Sequence, residues 1–218
     1  MTTLRMVTWN VQGMAPRWRS RRAAMVGALR AARPDIVALQ ECAWRLRHQS
    51  MQLAGPLHMR ARRAGTLGLI SRFLVGSHTY PLPAKAKGGS KRALIADVAG
   101  IRVVVTHMPL DRQIHLRNAK RFIELAQASD RPFVVCGDMN ERPGDPMLEL
   151  FRQAGFADAW TGEHGETWPS DAPRGRIDFI LTNGAIQATK TELLRPDPPA
   201  SDHLGLLAEL ELASSHIV

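Results

Sequence analysis

Cysteine is almost missing from this sequence. Cys42 and Cys136 are the only two in 218 residues, too few for a disulfide framework or a four-thiolate zinc site. Each follows a short apolar run, so both are expected to be reduced and buried. Long hydrophobic runs are missing too. No segment approaches the roughly 20 apolar residues that span a bilayer, and the chain runs from Met1 to Trp9 and Asn10 without the apolar core of a signal peptide. The expectation is a cytoplasmic protein with no membrane partner. Internal repeats, low-complexity tracts and a clear linker are also lacking, and the length suits one domain over residues 1–218.

Negative charge is in the minority. Twenty Asp and Glu face 29 Lys and Arg, for a net charge of +9, a balance that attracts polyanions. Nearly all the basic residues are Arg and the chain is rich in Ala, so coding bias is a competing explanation of the arginine content. The helical stretch Arg17 to Arg33 places Arg19, Arg22, Arg30 and Arg33 beside an apolar side made of Trp18, Met25, Leu29 and Ala32. A second basic feature is the loop "KAKGGSKR", Lys85 to Arg92, with two adjacent glycines.

What the chain does contain is a series of short apolar segments between turn signals. Leu4–Trp9, Ile36–Gln40, Leu67–Ser71, Ala93–Val98, Ile101–Thr106, Phe133–Cys136, Ile177–Leu181 and Leu204–Leu210 read as strands. Ala99-Gly100 joins two of them as a hairpin. Helical patterns cover Arg17–Arg33, Asp111–Ser129 and Pro146–Ala154, the last opening on a proline and followed by Gly155. Hairpins mixed with crossover helices imply an α/β (α+β) protein of mixed sheets with helices outside.

The ends of these strands are unusual. Asn10 closes "MVTWN", Glu41 closes "IVALQE", His107 follows "IRVVVT", and Asp138 and Asn140 follow "FVVC". Asp178 lies in "RIDFIL", and Asp202 and His203 precede the last strand in "SDHLGLL". One polar residue at a strand end is a turn or a cap. A whole set of types that bind hard metals and move protons asks for a shared reason. With the ends together, Glu41, Asp138, Asp178 and Asp202 would put four carboxylates in one cleft, which is costly unless cations or imidazolium groups compensate. Oxygen donors favour Mg²⁺, Mn²⁺ or Ca²⁺ over structural zinc. Histidine beside aspartate supports acid–base work near neutral pH. Together with the arginine-rich surface, the set suits hydrolysis of a phosphate ester.

"TWN", "LQE", "VTHM", "GDMN", "RIDFIL" and "SDH", in this order and at these distances, resemble the endonuclease/exonuclease/phosphatase superfamily. "GTLGLISR" and "ETWP" resemble it as well. The resemblance implies a deoxyribonuclease I-like four-layer α/β/β/α sandwich, two mixed β-sheets flanked by helices. It implies that Asn10 and Glu41 hold Mg²⁺ or Mn²⁺, with Asp202 completing or adjoining that metal site. Asp138 and Asn140 would handle the attacking water, and Asn140 and Arg92 would hold phosphate oxygens. His203, oriented by Asp178, would contact the scissile phosphate, with His107 as the second histidine. In the deoxyribonuclease I branch, which "THM" favours, this histidine pairs with a glutamate that "AGTLGLISR" lacks, leaving the partner of His107 open. The activity implied is metal-dependent phosphodiester hydrolysis of DNA or RNA. A small phosphoester or phospholipid headgroup is the alternative substrate, and a non-catalytic nucleic-acid-binding module is the alternative of another class. His48, His58, His78, His115 and His164 read as surface or structural, and Trp9 and Trp168 as packing residues.

Overall fold

A computed structural model of the protein describes residues 2–44, 47–73, 76–82 and 92–213. Most of the basic loop read from Lys85 to Arg92 lies outside these residues; Arg92 is inside them. The order is β1 (Thr2–Asn10), α1 (Trp18–Ala32), β2 (Ile36–Gln40), α2 (Gln49–Ala54) with a 3-10 turn (Gly55–Leu57), β3 (Arg60–Ala64), β4 (Leu67–Ser71) and β5 (Gly76–Pro81). Then come β6 (Arg92–Val98), β7 (Ile101–His107), α3 (Arg112–Gln127), β8 (Phe133–Asp138), α4 (Pro146–Gln153), β9 (Ala157–Asp158), β10 (Asp178–Asn183), β11 (Ile186–Leu194) and β12 (Gly205–Leu212).

The strands form two six-stranded mixed sheets, ordered β11-β12-β1-β2-β4-β3 and β5-β6-β7-β8-β10-β9. In each, one central pair is parallel, β1 with β2 and β7 with β8. Alternation assigns the faces. Val103 and Val105 point inward with Leu4, Met6, Ile36, Val134 and Ile180, where the sheets pack on each other. Val104 points outward with Val135 and Phe179 onto Phe122 of α3 and Phe151 of α4. On the other outer face, Val7, Val37 and Ile70 meet Met25 and Leu29 of α1 and Leu53 of α2. Helix, sheet, sheet, helix is the four-layer sandwich that the resemblance implied.

Central strands buried on both faces read as continuous apolar runs, whereas edge strands stay polar so that other chains do not add to them. The eight strands read from the sequence are those with a neighbour on each side, and the four it missed, β3, β5, β9 and β11, are the sheet edges. "RARRA" in β3 and "GSHTYP" in β5 have no apolar run to detect, and β9 is two residues long. Helix α2 also went unread. The Ala99-Gly100 hairpin forms, with both residues at positive φ and Val98 paired to Ile101. The apolar side of α1 is buried as read, with Trp18, Met25, Leu29 and Ala32 inside. Cys42 and Cys136 are free and buried, and burial pushes both thiols well above their ordinary range. Among the described residues no helix is long and apolar enough to cross a membrane.

Gly137 is the tightest point of the second sheet. It pairs with Thr106 across the parallel β7–β8 ladder at φ +143, and a Cβ there would lie 1.9 Å from the Thr106 carbonyl oxygen. Because that obstacle is backbone, no rotamer change relieves it. Gly137→Ala is expected to destabilise the fold by about 2 kcal/mol or more, measured by urea denaturation; a loss below about 0.5 kcal/mol would show that the ladder adjusts freely.

Candidate active site

Strand pairing carries the polar residues to one end of the sandwich. In the first sheet β1 and β2 run parallel with Asn10 opposite Gln40, so Asn10 and the next residue, Glu41, emerge together. In the second sheet β7 and β8 run parallel with His107 opposite Asp138. Antiparallel β10 begins at that end, with Asp178 directly across from Asp138. Antiparallel β12 likewise begins beside the end of β1, just after Asp202 and His203. Leu94 pairs with Val105, which puts Arg92 at the same end of the sheet as His107.

A hydrogen bond joins the two sheets here. The Asn10 amide donates from Nδ2 to Asp138 Oδ2 and to Glu41 Oε1, both at 3.0 Å, while its Oδ1 accepts the Gln12 N–H. Asn10 is thus a bridge between two carboxylates. Asp138 Oδ1 accepts the Asn140 N–H at 3.0 Å, and the Asn140 amide donates to Met108 O at 2.7 Å. His107 Nε2 lies 3.5 Å from Asp138 Oδ2 and 3.9 Å from Glu41 Oε1, so the carboxylates facing this histidine belong to the cluster itself. His203 Nδ1 meets Asp178 Oδ2 at 2.8 Å, and its Nε2 lies 3.7 Å from Asp138 Oδ2. Two groups of donor atoms, Glu41–His107–Asp138 and Asp138–Asp178–His203, each fall within 4.8 Å and share Asp138. Asp202 belongs to neither. It is partly exposed and accepts a bond from Ser201 Oγ at 3.3 Å, which places it beside His203 rather than among the donors.

Electrostatics follows from burial. Asp138 and Asp178 are at most 2% exposed and face each other across the ladder, where like charges repel. Burial and the charge of Asp178 raise the Asp138 pKa, against the opposing pull of His203, His107 and Asn10. For His203, burial opposes the imidazolium, but the charge and hydrogen bond of Asp178, with Asp138 and Asp202, outweigh it and raise the pKa to about 9. His203 is therefore cationic at neutral pH. Asp178 Oδ1 is buried with no hydrogen-bond partner among the described residues.

Several supports had no signal of their own in the sequence. Trp9 is wholly buried and its indole N–H donates to His203 O, while Ser201 Oγ donates to Asn10 O at 2.6 Å. Thr167, inside "ETWP", accepts the N–H groups of Ile177 and Asp178, and its carbonyl accepts that of Leu204, clasping β10 to the start of β12. The guanidinium of Arg21 donates to the carbonyls of Val11, Gln12, Ala15, Pro16 and Ala200 at 2.8 to 3.1 Å. That sews the loop after Asn10 to the segment before Ser201. Buried His115 contacts Glu141 Oε1 at 2.7 Å, and Glu141 Oε2 accepts the Met147 N–H, so this structural histidine ties α3 to the loop after Asn140. His48 is likewise buried and bonded to Ser50 and Gly65, whereas His58, His78 and His164 are exposed. Trp168 departs from the packing reading, since it is 39% exposed.

If the carboxylate of Asp178 sustains the charge on His203, Asp178→Asn must bring the His203 pKa down from about 9 toward the ordinary histidine value of about 6.5. An NMR titration of the imidazole protons in metal-free protein reads this directly. An unchanged midpoint would transfer the role to Asp138.

Comparison with known proteins places this geometry. No curated protein matches the sequence. Among solved structures, an endonuclease/exonuclease/phosphatase family protein from Bacteroides thetaiotaomicron aligns with a TM-score of 0.79 at 14% identity, covering 97% of this chain and 98% of the other. D. rerio TDP2 complexed with single strand DNA product aligns at 0.78 and 18% identity, covering 97% of this chain and all 100% of the other. The human Nocturnin catalytic domain with bound sulfate aligns at 0.72 and 19%, covering 97% and 94%. At these identities the likeness is one of fold. The family itself is shown by the sequence, whose residues 7–203 match the model of the Endonuclease/Exonuclease/phosphatase family, and the chain belongs to that family.

Proposed function

We propose that this protein is a divalent-metal-dependent phosphodiester hydrolase acting on nucleic acid, its whole length forming one catalytic domain. The observation that carries the reading is the convergence on Asp138 of Glu41, His107, Asp178 and His203 from both sheets. The family match and the net charge of +9 support it. The fold shared with a TDP2 solved with a single-stranded DNA product points to the same substrate class.

The donors suit a hard cation. Glu41 and Asp138 offer carboxylate oxygens beside His107, and the Glu41 side chain is 42% exposed, so its carboxylate opens toward solvent. Glu41 would hold Mg²⁺ or Mn²⁺, with Asn10 bonded to it and Asp202 at the rim beside His203, which leaves Asp138 to handle the water. When bound, such an ion neutralises charge developing on the phosphate oxygens. The chain's own groups supply the rest. Asp138, its proton affinity raised by burial and by Asp178, accepts a proton from the attacking water. Cationic His203 donates to a non-bridging oxygen, held in place by Asp178. Asn140 spends one amide hydrogen on Met108 O and offers the other to the phosphate, while His107 and Arg92 approach from the β6–β7 side.

Cleavage of a labelled oligonucleotide is expected to require added Mg²⁺ or Mn²⁺ and to stop in excess chelator. Full activity in chelator would reject the metal-dependent reading. Asp138→Asn is expected to lower kcat about a hundredfold or more with little change in KM, by steady-state kinetics, and wild-type turnover in that variant would give the water to another base.

A further inference from the structure

Large apolar side chains are exposed at few positions among the described residues, and three of them lie on loops leaving the site. Met14 follows Asn10 by four residues, Trp44 follows Glu41 by three, and Leu110 follows His107 by three; they are 83%, 57% and 75% exposed. Single exposed hydrophobics are ordinary on a protein surface. Trp44 differs because its surroundings hold it in place.

The Arg63 guanidinium lies over the Trp44 ring, 4.3 Å from its centroid. The His48 ring meets it in a T-shaped contact at 5.5 Å, and the two residues also form an isolated backbone bridge. His48 is itself fixed, fully buried, with one ring nitrogen 2.7 Å from Ser50 Oγ and the other 3.1 Å from Gly65 O. The indole therefore stays in a set plane while more than half of its surface faces solvent. The setting is cationic, with Arg47 exposed in the same loop and Arg63 on edge strand β3. Three residues of chain separate the Trp44 Cα from that of Glu41 by at most about 11 Å, within reach of a nucleotide next to the one being cleaved.

We infer that Trp44, backed by Arg63, is a stacking subsite for one unpaired nucleobase beside the cleaved phosphate, which makes single-stranded nucleic acid the substrate. The inference rests on the phosphodiesterase reading above. A flat ring that carries a guanidinium, meets His48 and still leaves more than half of its surface to solvent can offer that surface to the π-face of a base, and Arg47 and Arg63 match its phosphates. Bases inside a duplex have both faces covered by their neighbours, so only an unpaired base can use such a platform.

The test separates bases from phosphates. Metal-free protein in chelator is titrated, by fluorescence anisotropy, with labelled oligothymidylate and with an abasic chain of equal length. Wild-type protein is expected to favour the base-bearing chain about tenfold, and Trp44→Ala to abolish that preference without changing the salt slope, since no phosphate contact is lost. If Trp44→Ala unfolds, the paired variants Trp44→Phe and Trp44→Leu decide, the first retaining the preference and the second losing it. A preference that survives in Trp44→Leu overturns the inference. So does Trp44-dependent sedimentation with phosphatidylserine vesicles when base-bearing and abasic chains bind alike, because the surface then serves lipid. Wild-type hydrolysis of bis(4-nitrophenyl) phosphate with Mg²⁺ or Mn²⁺ keeps the two readings apart. Turnover of this ester without any base preference rejects only the stacking subsite, whereas no turnover of any phosphodiester rejects the parent reading.

Discussion

Two buried carboxylates directly opposed across a β-ladder are the constraint around which this molecule is organised. Asp138 and Asp178 occupy paired positions on β8 and β10, both out of water, where neither hydration nor distance separates their charges. His203 resolves the conflict. Its ring touches Asp178 on one nitrogen and turns the other toward Asp138, an imidazole set between two carboxyl groups. Because His203 comes from the other sheet's side of the sandwich, just ahead of β12, the arrangement exists only when both sheets are packed. The polar centre is thus coupled to the assembly of the whole fold.

That coupling explains where much of the surrounding hydrogen bonding goes. Trp9 holds the His203 carbonyl, Ser201 holds Asn10, and Thr167 holds Asp178 and Leu204 together. Arg21 donates its guanidinium to five loop carbonyls. An arginine of that kind contributes its charge to the field but has its N–H groups committed to the fold. Arg30 also donates to a main-chain carbonyl, that of Pro56. The basic character available to a substrate is therefore smaller than +9 suggests, and part of it sits on edge strand β3.

Parallel pairing at the middle of each sheet gathers the site. A parallel neighbour ends where its partner ends, so the residues after β1 and β2, and those closing β7 and β8, leave the sandwich on the same side. The antiparallel strands β10 and β12 then begin there. Loops on that rim are free to vary while the strands beneath keep the donors in place.

Local chemistry alone determined much of this protein. Strands buried on both faces must be apolar throughout, so β1, β2, β4, β6, β7, β8, β10 and β12 were legible, as were the apolar side of α1 and the polar residues that end the central strands. Edge strands β3, β5, β9 and β11 were not legible, because a strand with one free side has no need of an apolar run. The carboxylates that Asn10 bridges, those that face His107, the His203 contact with Asp178 and the Arg63–Trp44 stack were decided by the tertiary structure alone. Each depends on side chains that meet across dozens of residues of chain, and sequence spacing carries no record of which atoms of distant residues will share a few ångströms of space.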